Sequence, residues 1–257
     1  MKVRRTKQVV FSALLTGIVI STGCSSGYSV VSVEGSRVAM TEVYDRQADE
    51  DAVQILKVYK DSVDAVMTPI IGYATEKLKA YRPESPLSNL IADVLREGAE
   101  LKTGVRPEIG VMNMGGIRNI LNAGAITFGS IYEISPFQNA LVVVNLKGES
   151  LKKLFEQMAA VHGEGLSGAN LMISKDGKLL SAKVNGQDID LQKEYKVATI
   201  DYLAEGNDHL EAFKEATSKT VPSDAILRDL FIDYVKRCEK QGKPVYAKVE
   251  GRIVEQQ

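Results

Sequence analysis

The sequence predicts an α/β fold, or mixed α+β, in which a mixed sheet is flanked by helices and preceded by an N-terminal helical arm. Residues 140–146 are a near-continuous apolar run, which is typical of a buried strand. Apolar residues recur three or four apart in the segments that follow Asp51 and Ser85, which indicates helices. The pairs Asp176-Gly177 and Asn185-Gly186 predict hairpin turns. Because the helices interleave with strands that are partly hairpin-linked, the sheet should contain parallel and antiparallel pairs.

The amino-terminal residues have the composition of a bacterial export signal. A basic stretch precedes an apolar run from Val9 to Ile20, which is shorter than a membrane-spanning helix requires. Ser21-Thr22-Gly23-Cys24 resembles a lipoprotein cleavage site, so residues 1–24 are predicted to be a signal peptide with Cys24 as the lipidated residue. The protein is then exported and lipid-anchored in the cell envelope, in the periplasm or at the outer membrane. An uncleaved anchor is the alternative, and it leaves the domain on the same side of the membrane.

Residues 25–84 are predicted to form an N-terminal hairpin and a linker helix. Loose alternation of apolar residues over 28–44 favours a short hairpin. Over residues 51–81, apolar side chains recur at helical spacing, and Pro69 should kink or break the helix.

Residues 85–257 are predicted to form one α/β domain. Ser85 is a suitable N-cap, and Pro86 a suitable first residue, for a helix that should end near Gly104. The elements that follow alternate between strands and helices. They are a strand at 109–112, a strand at 140–146, a helix at 151–161, strands at 179–184 and 195–200, a helix at 223–240 and an edge strand near 245–254.

Charge and residue content argue against several classes of function. The chain has 32 Lys and Arg against 33 Asp and Glu, so a nucleic-acid partner has no electrostatic basis. Two histidines, His162 and His209, and Cys238 cannot furnish a zinc site of the His/Cys type. His162 has no nucleophile motif near it and is interpreted as a loop histidine, whereas Cys238 is predicted to be a buried structural thiol. Trp is absent, so aromatic stacking must come from Tyr or Phe.

The first of three candidate site segments runs from Asn113 to Arg118. Gly115 and Gly116 follow a predicted strand directly, where glycine permits backbone conformations closed to other residues and lets a ligand approach the main chain. Arg118 then offers a planar, permanently charged group for phosphate or sugar oxygens. Taken alone, the glycines indicate a turn and the arginine a solvated side chain.

Two further segments add aromatic and polar groups. Pro136 stiffens the backbone before Phe137, which can stack on a base while the Asn139 amide hydrogen-bonds the base edge. By itself, Phe137 is more typical of a core residue. Tyr202 follows a predicted strand, and the turn that ends in Asp208 can place a carboxylate against vicinal hydroxyls.

In order and approximate spacing, these segments resemble the C-terminal, substrate-binding domain of the bacterial 5'-nucleotidase and UDP-sugar hydrolase family. The resemblance implies that Phe137 and Tyr202 clamp a base, that Asp208 binds the ribose and that Arg118 binds phosphate. Stacking tolerates different bases, whereas hydrogen bonds to ribose reject ligands that lack its hydroxyls. The substrate-binding set implied by the resemblance is Asn113, Gly115, Gly116, Arg118, Phe137, Asn139, Tyr202 and Asp208.

The chain departs from the family pattern at two places. Asn207 and His209 stand where the family carries glycine, and His209 is large enough to cover part of the pocket. The family also has two arginines before the helix that starts here at Pro86. At the corresponding positions this chain has Lys77 and Tyr81, and the adjacent Arg82 is either a candidate phosphate contact or a solvated surface residue. A pocket with few charges favours nucleosides and monophosphates over di- and triphosphates.

The resemblance also implies a missing catalytic half. That half binds two metals through Asp-x-His, Gly-Asn-His and His-x-His elements, none of which occurs in this sequence. We therefore expect no catalytic residue, metal site or cofactor here, and divalent metals only in a partner. The hypothesis is a nucleotide- and nucleoside-recognition domain of a 5'-nucleotidase-type hydrolase system for nucleotide catabolism, whose metallophosphatase half is a separate chain. The alternatives are a non-catalytic nucleoside-binding lipoprotein and a structural partner that docks through the helix at 51–81.

Overall fold

A computed structural model describes residues 29–256 of the protein. The predicted signal peptide, residues 1–24 with Cys24, lies outside the described residues. The chain divides into two compact units, one that ends at Val53 and one that begins at Gln54. None of the helices described is long and apolar enough to cross a bilayer.

The predicted hairpin over residues 28–44 is wrong. Residues 29–40 contain no strand, and a short 3-10 helix follows at Asp45–Gln47. Val30, Val31 and Val33 are exposed. An isolated two-stranded hairpin is marginal in water without further strands or a helix against its apolar face, so alternation alone did not specify one here.

The first long helix, α1, spans Glu50–Met67, so the predicted break at Pro69 is confirmed, and residues 70–81 contain no helix. The position before Pro69 is restricted to extended conformations, so the helix stops and the chain turns into a strand, β1, at Ile70–Ala74. None of the residues of α1 is buried.

The remaining elements are given in chain order. The helices are α2 Pro86–Thr103, α3 Phe128–Ile134, α4 Gly148–Ala160, α5 Asp201–Ala204 and α6 Leu227–Lys240. The strands are β2 Ile109–Met112, β3 Gly124–Thr127, β4 Leu141–Lys147, β5 Gly165–Ser167, β6 Ala169–Ser174, β7 Leu179–Val184, β8 Gln187–Asp188, β9 Glu194–Ile200, β10 Ser218–Thr220 and β11 Ile253–Gln256. Two more 3-10 segments lie at Met114–Gly116 and Glu211–Glu215.

The strands of residues 29–256 form three sheets, and the mixed topology is confirmed. The largest sheet has the order β10-β4-β9-β2-β5, in which only β2 and β9 run parallel. A second sheet has the order β11-β6-β7-β8, with β11 parallel to β6. A third pairs β1 with β3 in antiparallel fashion, so a strand from the predicted linker region belongs to the second unit.

Local sequence signals explain where α2 begins and ends, and both predicted ends are confirmed. The Ser85 side chain accepts a hydrogen bond from the Ser88 amide, and Pro86 is the first helical residue. Gly104 adopts a left-handed conformation with φ of 73° and donates to the Glu100 carbonyl. One face of the helix is buried against the sheet, which makes α2 the main support beneath β2 and β5.

The carboxyl-terminal elements are shorter than predicted. Helix α6 begins at Leu227 rather than at residue 223, because Asp224 has a φ of 53°, which a right-handed helix excludes. The edge strand is confined to β11, and Val245 makes only a single bridge to Ala74. Cys238 was predicted to be buried but is half-buried, and this burial raises the pKa of its thiol.

Candidate functional site: a cavity at the sheet edge

A cavity of about 420 Å³ lies where the three candidate segments meet. Small-molecule sites commonly have volumes of about 300–1,000 Å³. The structure brings together all eight residues of the predicted substrate-binding set. They are Asn113, Gly115, Gly116, Arg118, Phe137, Asn139, Tyr202 and Asp208.

The topology of the largest sheet explains this convergence. Strands β2 and β9 are parallel neighbours, so the segments that leave their carboxyl ends start from the same edge of the sheet. Strand β4 is antiparallel to β9 and pairs Leu141 with Ile200, so the residues just before β4 lie at that edge too. Segments far apart in the sequence therefore line one cavity.

Asp208 is held on both sides by its neighbours. The Asn113 amide nitrogen donates to Asp208 Oδ2 at 2.5 Å, and the Tyr202 hydroxyl donates to Asp208 Oδ1 at 2.8 Å. The pKa of Tyr202 is raised, because its hydroxyl donates to a carboxylate and ionisation would place two negative charges together. Each carboxylate oxygen keeps a second lone pair, so Asp208 can still accept hydrogen bonds from a ligand.

The turn that carries Asp208 is wound in the left-handed region. Gly206, Asp208 and His209 have φ values of 78°, 54° and 64°. The Asn207 side chain stabilises this turn by donating to the Tyr202 carbonyl at 2.7 Å. The expectation that His209 covers part of the pocket is wrong, because His209 is exposed and is not part of the lining.

Two aromatic rings in the lining are accessible to a ligand. The side chains of Phe137 and Tyr202 are 48% and 44% exposed, which rules out the alternative that Phe137 is a core residue. Arg118 is exposed, and its Nη1 donates to the Gly115 carbonyl at 3.0 Å. Its remaining guanidinium donors make no hydrogen bond with the described residues, so they are available to an anion.

Asn113 is the most buried polar group of the lining. It is 3% exposed, and its Oδ1 accepts no hydrogen bond from the described residues. A buried acceptor without a donor is unfavourable, so Asn113 is suited to a ligand that brings one.

The two glycines have different roles from those expected. Neither Gly115 nor Gly116 is among the residues with positive φ. A Cβ at Gly116 would lie 2.5 Å from Met112 Cε and 2.7 Å from Asn113 Oδ1, whereas at Gly115 the nearest atom would be Asp208 Oδ2 at 3.5 Å. Gly116 is therefore required for packing, and Gly115 is not.

We expect Gly116→Ala to lower the free energy of unfolding by about 1 kcal/mol, the low end for an overpacked site, because the atoms met are ends of side chains that can shift. Nucleoside affinity should fall as well, since Asn113 is one of the groups displaced. Chemical denaturation and calorimetry measure the two effects. Gly115→Ala is the matched control, and an equal loss of stability in both variants would contradict this assignment.

Sequence reasoning missed Glu164, which lies beneath the cavity. Glu164 is 2% exposed; its Oε2 accepts a hydrogen bond from the Met114 amide and its Oε1 pairs with Arg82. Burial raises the pKa of Glu164, the nearby Asp208 adds to the rise, and Met114 and Arg82 oppose it. Arg82, the candidate phosphate contact, does not line the cavity. The signal that could have been used is a carboxylate between two glycines, Gly163 and Gly165.

Arg228 was also missed, and it supports the segment that carries Phe137. Its guanidinium lies 4.0 Å from the centre of the Tyr132 ring, and its Nη1 donates to the Pro136 carbonyl at 3.3 Å. Arg228 is 7% exposed, so this contact is made away from solvent. In the sequence it is one charged residue among several in α6, and nothing singles it out.

His162 lies in a turn with a φ of 59°, and its Nδ1 is 3.5 Å from a Glu255 carboxylate oxygen. Within residues 29–256, no group of three or more His, Cys, Asp or Glu side chains is arranged to hold a metal ion.

Comparison with known proteins shows the family to which the second unit is similar. The family model described as 5'-nucleotidase, C-terminal domain, matches residues 69–215. The trifunctional nucleotide phosphoesterase protein YfkN of Bacillus subtilis is 29% identical over 252 residues, which cover 88% of this chain and 16% of that protein. Protein UshA of Salmonella pullorum is 31% identical over 123 residues, which cover 46% of this chain and 21% of UshA.

A solved structure agrees with these relatives. The crystal structure of a 5'-nucleotidase precursor from Thermus thermophilus matches with a TM-score of 0.70 at 29% identity, over 80% of this chain and 43% of that one. The chain spans about a fifth or less of the length of the two curated relatives and under half of the solved structure. The matched family model covers more than half of the chain, so the protein belongs to the 5'-nucleotidase C-terminal-domain family.

Proposed function

We propose that the protein is the nucleotide- and nucleoside-recognition component of a 5'-nucleotidase-type hydrolase system, and that a separate chain supplies the catalytic metallophosphatase half. The observation that carries this proposal is the convergence of three distant segments on one cavity, with two accessible aromatic rings and a carboxylate held between Asn113 and Tyr202. Relatives named as a nucleotide phosphoesterase and a 5'-nucleotidase support the ligand class.

We infer a role for the lining residues in binding each part of a nucleoside. Phe137 and Tyr202 stack on the base, a contact that contributes about 1–3 kcal/mol per base and discriminates weakly between bases. The Asn139 side chain hydrogen-bonds the base edge. Asp208 accepts hydrogen bonds from the two ribose hydroxyls, and its contacts with the protein fix its orientation before the ligand arrives.

The charge of the lining limits the ligand further. Of the eight lining residues, only Arg118 and Asp208 are charged, and their charges cancel. One guanidinium can neutralise one phosphate group, whereas a di- or triphosphate would leave further negative charge without a partner. The cavity therefore favours nucleosides and nucleoside monophosphates.

Hydrolysis is assigned to the partner chain. Two-metal phosphoester cleavage uses several carboxylate and imidazole ligands around a pair of divalent ions. The whole sequence has two histidines, and the described residues offer no metal cluster, so the recognition cavity would present its ligand to metals held elsewhere. We propose that this takes place outside the cytoplasm, with the protein exported and lipid-anchored through Cys24.

A reconstitution assay tests the proposal. AMP hydrolysis is measured in the presence of a divalent metal for this protein alone, for a candidate exported metallophosphatase that lacks this domain, and for their mixture. We expect release of phosphate to rise on mixing, and the rise to be lost when this protein carries Asp208→Ala. If phosphate release does not rise on mixing but calorimetry shows adenosine binding, the protein is a non-catalytic nucleoside-binding protein. If neither adenosine nor AMP binds at millimolar concentration, the result supports the alternative of a structural partner.

A further inference from the structure

We propose that Glu164 is a positioning residue for the ligand cavity, and that Arg82 acts through Glu164 rather than on the ligand. This inference rests on the proposed function. Glu164 binds the backbone of the motif between Asn113 and Gly115, and it is not itself part of the cavity lining.

The first step is the contact with the motif. Glu164 Oε2 accepts the Met114 amide proton, and Met114 follows Asn113 directly. Asn113 in turn donates to Asp208 Oδ2. The position of the buried carboxylate therefore determines where the Asn113 side chain lies, and with it one side of Asp208.

The second step is the burial of charge. Glu164 is almost fully buried, and an ionised carboxylate there needs a partner. Arg82 supplies it through Glu164 Oε1, at a position that does not line the cavity. The charged groups that act on Glu164 are Arg82, which favours its ionised form, and Asp208, which opposes it.

The third step is the close packing of the loop that carries Glu164. Gly163 has a φ of 105°, and a Cβ there would clash with the Pro83 carbonyl oxygen. The loop therefore packs directly against Pro83, the residue that follows Arg82. This packing gives Glu164 little freedom to turn away from the motif. A single arrangement links Arg82, Glu164 and Met114.

The pH dependence expected from this arrangement has opposite signs for stability and for binding. Burial raises the pKa of Glu164, so at pH values between its ordinary and raised pKa the folded protein binds a proton that the unfolded chain lacks. Glu164 therefore contributes fully to stability at pH values below the ordinary pKa of the unfolded chain. This contribution is lost as the pH rises through the raised pKa of the folded protein. Ligand affinity should instead fall as the pH is lowered through the raised pKa, because the protonated carboxyl cannot accept from both Met114 and Arg82.

The test compares the variants Glu164→Gln and Arg82→Gln with the wild type by calorimetry, using adenosine and AMP. We expect each variant to weaken the binding of both ligands by the same factor, about tenfold. In the wild type, affinity should fall at acid pH as Glu164 takes up a proton. In Glu164→Gln this part of the fall should be absent. Glu255→Gln is the matched control, since this partly exposed carboxylate contacts the same loop through His162 and its replacement should leave affinity unchanged.

Two outcomes would overturn the inference. A selective loss of AMP binding in Arg82→Gln would make Arg82 a phosphate ligand, and unchanged affinity in both variants would show that neither residue positions the cavity. If Glu164→Gln does not fold, Arg82→Gln decides alone, because Arg82 is partly exposed.

A ligand-independent measurement separates this inference from the proposed function. In the NMR spectrum of the free protein, the Met114 amide should shift with pH as Glu164 ionises, and the shift should be absent in Glu164→Gln. If the wild type binds neither ligand, the proposed function fails, and the Met114 titration still decides whether Glu164 controls the motif. A Met114 amide that does not respond to pH would overturn the inference.

Discussion

Replacing Asp208 by alanine is expected to weaken adenosine binding by about 100-fold or more. A hydrogen bond to a charged group contributes about 1.5–3 kcal/mol, and Asp208 would accept one from each of two ribose hydroxyls. The wild-type carboxylate is already oriented by Asn113 and Tyr202, so little of this contribution is lost to ordering the side chain. Calorimetry with the wild type and the variant measures the effect.

The ligand itself provides the control for Asp208. 2',3'-Dideoxyadenosine lacks both hydroxyls, so the wild type should bind adenosine far more tightly than this analogue, and Asp208→Ala should bind the two alike. This comparison is insensitive to a general loosening of the cavity, which would weaken both ligands. If the variant still preferred adenosine by the wild-type factor, Asp208 would not be the ribose ligand.

Phe137→Ala is expected to weaken every nucleoside by a similar factor, roughly tenfold to 100-fold. Stacking contributes about 1–3 kcal/mol per base and depends on the flat face that all bases share. Because Phe137 is half-exposed, its removal should change the free energy of unfolding little. Affinities for adenosine and uridine, measured in parallel by calorimetry, give the two factors.

A matched control for Phe137 is Tyr59→Ala, since Tyr59 is an exposed aromatic residue on α1 and outside the cavity lining. Its removal should leave both affinities unchanged. Ribose 5-phosphate, which has no base, should bind wild type and Phe137→Ala equally. An unchanged adenosine affinity in Phe137→Ala would mean that the base does not stack on this ring.

The lining residues were accessible to sequence reasoning because each is part of a short contiguous motif. The motifs are Gly115-Gly116 with Arg118, Phe137 with Asn139, and Asp208 after Tyr202. The pairing of β9 with β2 on one side and with β4 on the other brings them together. Helix α2 was equally accessible, since its capping residues are local signals.

The supporting residues were not accessible, because their contacts join distant parts of the chain. Glu164 meets Met114 across 50 positions and Arg82 across 82, and Arg228 meets Pro136 across 92. Short strands were not predicted for a related reason. Strand β3 forms because it pairs with β1, and the residues of β1 belong to a segment whose apolar spacing also fits a helix. Periodicity describes one segment at a time, whereas these features are fixed by tertiary partners.

The wide separation of the cavity segments along the chain has a consequence for the lifetime of the protein. Asn113 and Asp208 are 95 positions apart, so an unfolded chain presents no nucleoside site. A nucleoside then binds only the folded second unit and stabilises it by about 2.7 kcal/mol at a concentration of 100 times its Kd. Where opening is in rapid equilibrium, proteases attack in proportion to the unfolded fraction. A nucleoside-loaded molecule should therefore outlast an empty one, and the supply of ligand would help to set how much of the protein persists.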